Sequence, residues 1–117
     1  MAEFEAGQIV VADWRDVLPK EANKLRPSVV VEDADLFSSV YPNVILVPLT
    51  EDAGMVVAEL SVQIDPTPEN GCTKTCYAVS PLVAGMSKLR VRPTRSRITP
   101  EQLARIRRQV ATAIGLD

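Results

Sequence analysis

Residues 24–33 read Lys24-Leu25-Arg26-Pro27-Ser28-Val29-Val30-Val31-Glu32-Asp33, and the two halves of the stretch pull in different directions. Three consecutive valines are β-branched and apolar, the signature of a strand heading into a core. At the entrance to that strand stands an arginine, whose charge is costly to remove from water. The proline after it restricts Arg26 to extended backbone angles. The sequence therefore fixes a permanently charged planar fork at the rim of a core, on the surface. From these residues alone two partners suit that fork: a carboxylate, Glu21 or Asp33, or an external anion such as a phosphate.

The neighbouring segments follow the same style. Residues 8–14, QIVVADW, predict a strand before the valine run, and 44–50, VILVPLT, a strand after it. Pro48 cannot donate to a ladder, so it is expected at an edge or a bulge. Residues 57–64, VAELSVQI, alternate well enough for a fourth strand, and DPTPENG is a turn. The ten residues RDVLPKEANK, mostly polar and proline-containing with no clean periodicity, form a loop, a place where function often resides. Residues 77–93 read as short extended pieces around Ser80-Pro81, followed by alternation in Lys88-Leu89-Arg90-Val91-Arg92. The last element is a helix. Thr99 is its N-cap, Pro100 fits the first helical position and Gln102 completes a capping box. Leu103, Ile106, Val110 and Ile114 then make one stripe, Arg105 and Arg108 lie opposite, and Gly115 is the stop.

Short strands with one terminal helix imply a mainly β α+β fold, a small, strongly bent sheet or barrel with the helix over one opening. The 117 residues suit one domain, 1–117. No apolar run approaches the ~18 residues of a membrane span. The start, MAEFEAG, lacks the basic and apolar regions of a signal peptide, so a cytoplasmic protein with no membrane partner is expected. Cys72 and Cys76 are the only cysteines and histidine is absent. Two thiolates cannot complete a four-ligand zinc site within one chain, and free thiols are expected. The net charge of −2 hides an asymmetry: residues 88–117 carry eight basic side chains against two acids, the remainder five against thirteen.

Taken together, Gly7, Ile9 and Asp13 on the first strand, Glu21 five residues before Arg26-Pro27, the valine strand, and Pro48-Leu49-Thr50 closing the third resemble the MazF/PemK toxins of bacterial type II toxin–antitoxin pairs. Ile114-Gly115-Leu116 resembles the end of that family's helix. The resemblance spans the chain, with its specificity in residues 7–50. It implies an SH3-like barrel of about five to seven strands with a C-terminal helix, working as a homodimer. It implies an endoribonuclease that cleaves single-stranded RNA through the substrate's own 2′-hydroxyl, with no metal or other cofactor, restrained by a cognate antitoxin. By the same resemblance Arg26 and Thr50 match the catalytic arginine and threonine, and Glu21 the acidic loop residue. Lys20, Lys24, Trp14 and Ser80 are the expected RNA contacts. Lys88, Arg90 and Arg92, alternating on one strand face, are expected to grip an acidic antitoxin tail. From the residues alone, Thr50 is equally a strand threonine and Glu21 equally a solvated loop glutamate.

Two departures stand out. Family members often carry Gln, Ser or Thr after the fourth strand, where this chain has Ser80-Pro81-Leu82-Val83-Ala84. The glycine common before Arg-Pro is replaced by Asn23-Lys24. Two other readings compete: a non-catalytic toxin of the CcdB type, which grips a partner protein on the same fold, and a plain SH3-like module for proline-rich peptides. The latter needs clustered aromatics, and this chain has five aromatic residues, Phe4, Trp14, Phe37, Tyr41 and Tyr77, scattered along it.

Overall fold

In the computed structural model, residues 4–14 and 25–116 are described. The strands are β1 (Gln8–Asp13), β2 (Leu25–Val30), β3 (Asn43–Thr50), β4 (Ser61–Ile64), β5 (Cys76–Val79), β6 (Ala84–Ser87) and β7 (Val91–Arg97), followed by the helix α1 (Pro100–Ala113). All pairings are antiparallel, in the order β4-β5-β3-β2-β1-β7, with β6 also on β3. The mainly β architecture with one C-terminal helix is as expected. The sheet, however, is curved and open: β4 and β7 lie at its two ends rather than pairing to close a barrel.

The run-on apolar strands are explained by burial on both faces. Ile9, Val29, Val31, Val47 and Leu49 join one core, completed by Val62, Ile64, Ala78 and Ile106 of α1. The residues between them, Val10, Ala12, Val30, Val44 and Leu46, join a second core with Phe4, Trp14, Met86 and Val91. A strand with apolar partners on both sides has no polar face to show, so its sequence does not alternate. Each fully buried valine or leucine contributes about 1.5–3 kcal/mol relative to exposure.

Pro48 contradicts the expected edge or bulge, since it is fully buried in a central strand opposite Ser28. The register resolves the conflict. Val31 N donates to Ile45 O, so the hydrogen-bonded pairs of β2 and β3 are the odd-numbered ones. The nitrogen of Pro48 then faces the other side of β3, where the partner changes from β6, paired to Asn43–Leu46, to β5, paired to Leu49 and Thr50. No ladder donor is needed in that gap.

Three further boundaries shift. β2 begins at Leu25, ahead of the valine run, because Leu25, Arg26 and Pro27 pair with Asp13, Ala12 and Val11. Its far end is taken over by side chains: Glu32 Oε1 accepts from Ile45 N (3.1 Å), while Arg107 of α1 donates to the carbonyls of Val31 and Glu32 (2.9 Å each). The segment expected as strand 57–64 is a short 3-10 turn, Ala58–Leu60, before the four residues of β4.

The helix keeps its expected cap. Thr99 Oγ1 accepts from Gln102 N (3.1 Å), Gln102 Oε1 accepts from Thr99 N (2.9 Å), and Gly115 adopts φ +89° just past the end. Ile106 is buried and Leu103 and Val110 pack against the same core, whereas Ile114 is exposed. Gln109 fastens the helix to the sheet: its Oε1 accepts from Ser80 Oγ (2.7 Å) and its Nε2 donates to Ser61 O (2.9 Å). No helix among the described residues is long and apolar enough to cross a membrane.

Candidate functional site

The β2–β3 register sets the site. Ser28 lies opposite Pro48, so continuing the register two residues puts Arg26 opposite Thr50. Both line a groove of about 660 Å³. Apolar lining comes from Ile9, Val11, Pro27 and Leu49, the last two flanking the pair, and Glu51 and Asp52 follow Thr50 at its border. Arg26 is half-buried rather than fully on the surface, and its Nη1 donates to Leu49 O (3.3 Å). That bond steers the guanidinium along β3 towards Thr50. Thr50 is buried, and its Oγ1 accepts from Asp52 N (3.1 Å), which leaves the hydroxyl proton for another acceptor.

The facing wall is the β4–β5 connection, residues Asn70–Lys74 with Cys76, beside Thr94 and Ser96 of β7. Asn70 builds this wall. It is buried; its Oδ1 accepts from Thr67 N (3.0 Å) and Cys72 N (2.9 Å), and its Nδ2 donates to Asp65 O (2.9 Å). Gly71 follows at φ +65°, close enough to β7 that a Cβ there would meet Ser96 Oγ at 2.8 Å. Arg97 N donates to Glu69 O (2.9 Å), so the loop is sewn to the strand as well as to itself. At its base, hydrogen bonds from Gln63 (3.0 Å) and Thr75 (2.9 Å) hold the Asp65 carboxyl below the usual carboxylate range.

Both cysteines border the groove as free thiols, with Sγ atoms 3.9 Å apart. Burial, with Cys72 nearby as the second cause, pushes the Cys76 thiol up to about 12. Asn70, Lys74, Thr94 and Ser96 are lining residues that sequence reading passed over: "PENG" and "TKT" look like ordinary turn composition, and Thr94 and Ser96 sit among the arginines of "PTRSR".

Of the expected site residues, Arg26 and Thr50 come together. Glu21, Lys20 and Lys24 lie outside the described residues. Trp14 and Ser80 are corrected. The Trp14 ring is fully buried, with its indole N–H donating to Ser28 Oγ (2.8 Å), so it has no face to offer a base. Ser80 is equally buried and committed to Gln109. The alternation of Lys88, Arg90 and Arg92 on one strand face also fails. Lys88–Arg90 is a 3-10 turn capped by Ser87, and only Arg92 belongs to β7. Lys88 Nζ reaches Ser39 O (3.5 Å), while Arg90 and Arg92 are exposed.

Comparison with known proteins agrees with this architecture. Among solved structures, MazF from Deinococcus radiodurans superposes with a TM-score of 0.73 at 18% identity, over 95% of this chain and 96% of that one. An endoribonuclease in complex with its cognate antitoxin from Mycobacterial species gives 0.71 at 20% identity, over 96% and 95%. The Mycobacterium tuberculosis toxin MazF-mt6 gives 0.69 at 16% identity, over 94% and 98%. These likenesses show a shared fold. No curated protein matches the sequence. Residues 5–114, nearly the whole chain and with it every described wall of the groove, match the PemK-like, MazF-like toxins of type II toxin–antitoxin systems, and the chain belongs to that family.

Proposed function

We propose that this chain is an endoribonuclease that cuts single-stranded RNA by attack of the substrate's 2′-hydroxyl, without a metal ion, and that it works as a homodimer silenced by a cognate antitoxin. The carrying observation is the meeting of Arg26 and Thr50, from different strands, at one groove. The reaction needs alignment, proton transfer and stabilisation of the extra charge on the phosphoryl oxygens; the nucleophile belongs to the RNA. Arg26 supplies a fixed charge with two-pronged donor geometry for those oxygens. Thr50, whose oxygen is engaged by Asp52 N, supplies an O–H donor to the same phosphate. Glu21 takes the 2′-hydroxyl proton, and Lys20 and Lys24 contact the RNA backbone. The antitoxin engages Arg90 and Arg92, with Lys88 beside them, through an anionic segment. Family membership and the solved relative described as an endoribonuclease in complex with its cognate antitoxin support this reading.

The test is incubation of the purified protein with RNA in EDTA, followed by end-group analysis. The expected products carry a 2′,3′-cyclic or 3′-phosphate and a 5′-hydroxyl. Replacing the 2′-hydroxyl at the cut nucleotide by hydrogen should stop the reaction. A 5′-phosphate product, or strict dependence on Mg²⁺, points to water as the nucleophile and overturns the mechanism.

A further inference from the structure

The chain's two cysteines are four residues apart, and both border the groove. Cys76 is buried and begins β5, where its backbone pairs with Ile64. Cys72 is half-buried in the facing loop, its N–H held by Asn70 Oδ1. Their sulfurs are 3.9 Å apart, against about 2.05 Å in a disulfide. One sulfur sits on a strand and the other on a loop, so closing the remaining gap falls to side-chain rotation and movement of the loop.

We propose that Cys72 and Cys76 form a dithiol–disulfide exchange site that reacts with a low-molecular-weight disulfide, and that closing it braces the Gly71–Thr75 wall of the groove against β5. In the first step the Cys72 thiolate attacks one sulfur of the reagent. The reagent's S–S bond breaks, one thiolate leaves, and a mixed disulfide remains on Cys72. In the second step Cys76 gives up its proton and attacks Cys72 Sγ. The mixed S–S bond breaks, and the second reagent thiol departs with that proton. Two protein thiols are oxidised and one reagent disulfide is reduced to two thiols.

The order follows from exposure, since Cys72 is the sulfur a reagent can reach. It also follows from charge, because the Cys76 thiol is held protonated by burial and by the neighbouring Cys72. Capping Cys72 removes its contributions to that upward shift and leaves burial, the largest cause, with Glu51 and Asp65 nearby. The structural consequence reaches the site directly: Tyr77, next to Cys76, is the pairing partner of Thr50. That the groove binds RNA rests on the function proposed above; the thiol chemistry does not.

The full chain is equilibrated in reduced and oxidised glutathione across about −150 to −320 mV, quenched in acid, alkylated and weighed intact. The expected product is one chain that has lost two hydrogens and takes up no alkyl group. Cys76→Ser should stop at a single glutathione adduct, and Cys72→Ser should acquire none. A stable adduct on the wild type, a bond between two chains, or two alkylatable thiols at the oxidising limit overturns the exchange site. Amide exchange over residues 70–77 should slow about tenfold in the oxidised chain. Equal rates in the two forms overturn the bracing of the wall. Affinity for an RNA lacking the cleaved 2′-hydroxyl should change at least about threefold between the forms. RNA that binds neither form counts against the nuclease reading and leaves the mass and exchange results to decide this one.

Discussion

Replacing Ser80 by alanine separates the two roles this residue could have. Its hydroxyl is fully buried and donates to Gln109 Oε1 at 2.7 Å, while Gln109 Nε2 holds Ser61 O at 2.9 Å. One glutamine thus ties α1 to the turn after β5 and to the start of β4. Ser80→Ala leaves Gln109 Oε1 without its donor, an omission that costs about 1–3 kcal/mol. Gln109→Ala breaks both bonds and strands a buried hydroxyl, for about 2–5 kcal/mol. Because the two residues share one bond, the double variant should be less destabilised than the sum of the singles by about 1–2 kcal/mol. In a chain of this size each kcal/mol lowers Tm by about 4 °C. The assay is urea unfolding of the four proteins at one fixed concentration, so that self-association does not enter the comparison. Affinity of Ser80→Ala for an uncleavable RNA should stay within about twofold of wild type. If Ser80→Ala is as stable as wild type and loses RNA affinity, the serine is an RNA contact and the tie between helix and sheet carries no weight.

Other expectations follow from the site. Arg26→Ala should abolish RNA cleavage in a folded protein and Thr50→Ala should slow it about 10²-fold, the scale of a lost oxyanion donor; wild-type rates in either overturn its assignment. Gly71→Ala should destabilise by about 1–3 kcal/mol in thermal unfolding, since φ +65° strains an L residue and the new Cβ would meet Ser96 Oγ at 2.8 Å. Because folding raises the Cys76 pKa from 9.0 to about 12, its stabilising contribution is complete below pH 9 and is lost as pH rises through that window. Unfolding measured from pH 8 to 12 should therefore slope downward less steeply in Cys76→Ala, and an unchanged slope rejects the assignment. Arg90→Glu with Arg92→Glu should weaken antitoxin binding well over tenfold at low salt, with the loss shrinking as salt is raised; unchanged affinity at low salt moves the antitoxin contact elsewhere.

The fold was legible where local chemistry decides it. The Thr99–Gln102 capping box and the existence of the valine strand depend on residues close in sequence; the box stands as read, and the strand is present with shifted ends. The resemblance also picked out Arg26 and Thr50, whose side-by-side placement then needed only the β2–β3 register. What was not legible depends on partners distant in the chain. Trp14 carries an apolar ring and an N–H, and composition cannot say whether these meet RNA or, as here, Ser28 and a core. Lys88-Leu89-Arg90 alternates like a strand, but Ser87 caps it as a turn through Leu89 N. Pro48 looked like an edge residue because nothing in the local sequence announces the change of partner from β6 to β5 along β3. The groove wall escaped notice for the same reason, since Asn70 gains its importance from three hydrogen bonds inside a loop that reads as plain turn.

The pairing of β1 with β7 has a consequence for when the protein exists as a folded object. Gln8 lies opposite Arg97, and Ala12 opposite Val91. Contacts so far apart in sequence close late and slowly in folding. During synthesis β1 emerges from the ribosome first and must wait for residues 14–90 to be made before its outer neighbour β7 arrives. Until then Thr94 and Ser96 are missing from the groove, and Ile106 is missing from the core above it. A nascent chain halted before residue 91 therefore carries Arg26 and Thr50 without the cleft they border. Synthesis through β7 and α1, rather than the appearance of either residue, starts the clock on any activity that needs the assembled groove.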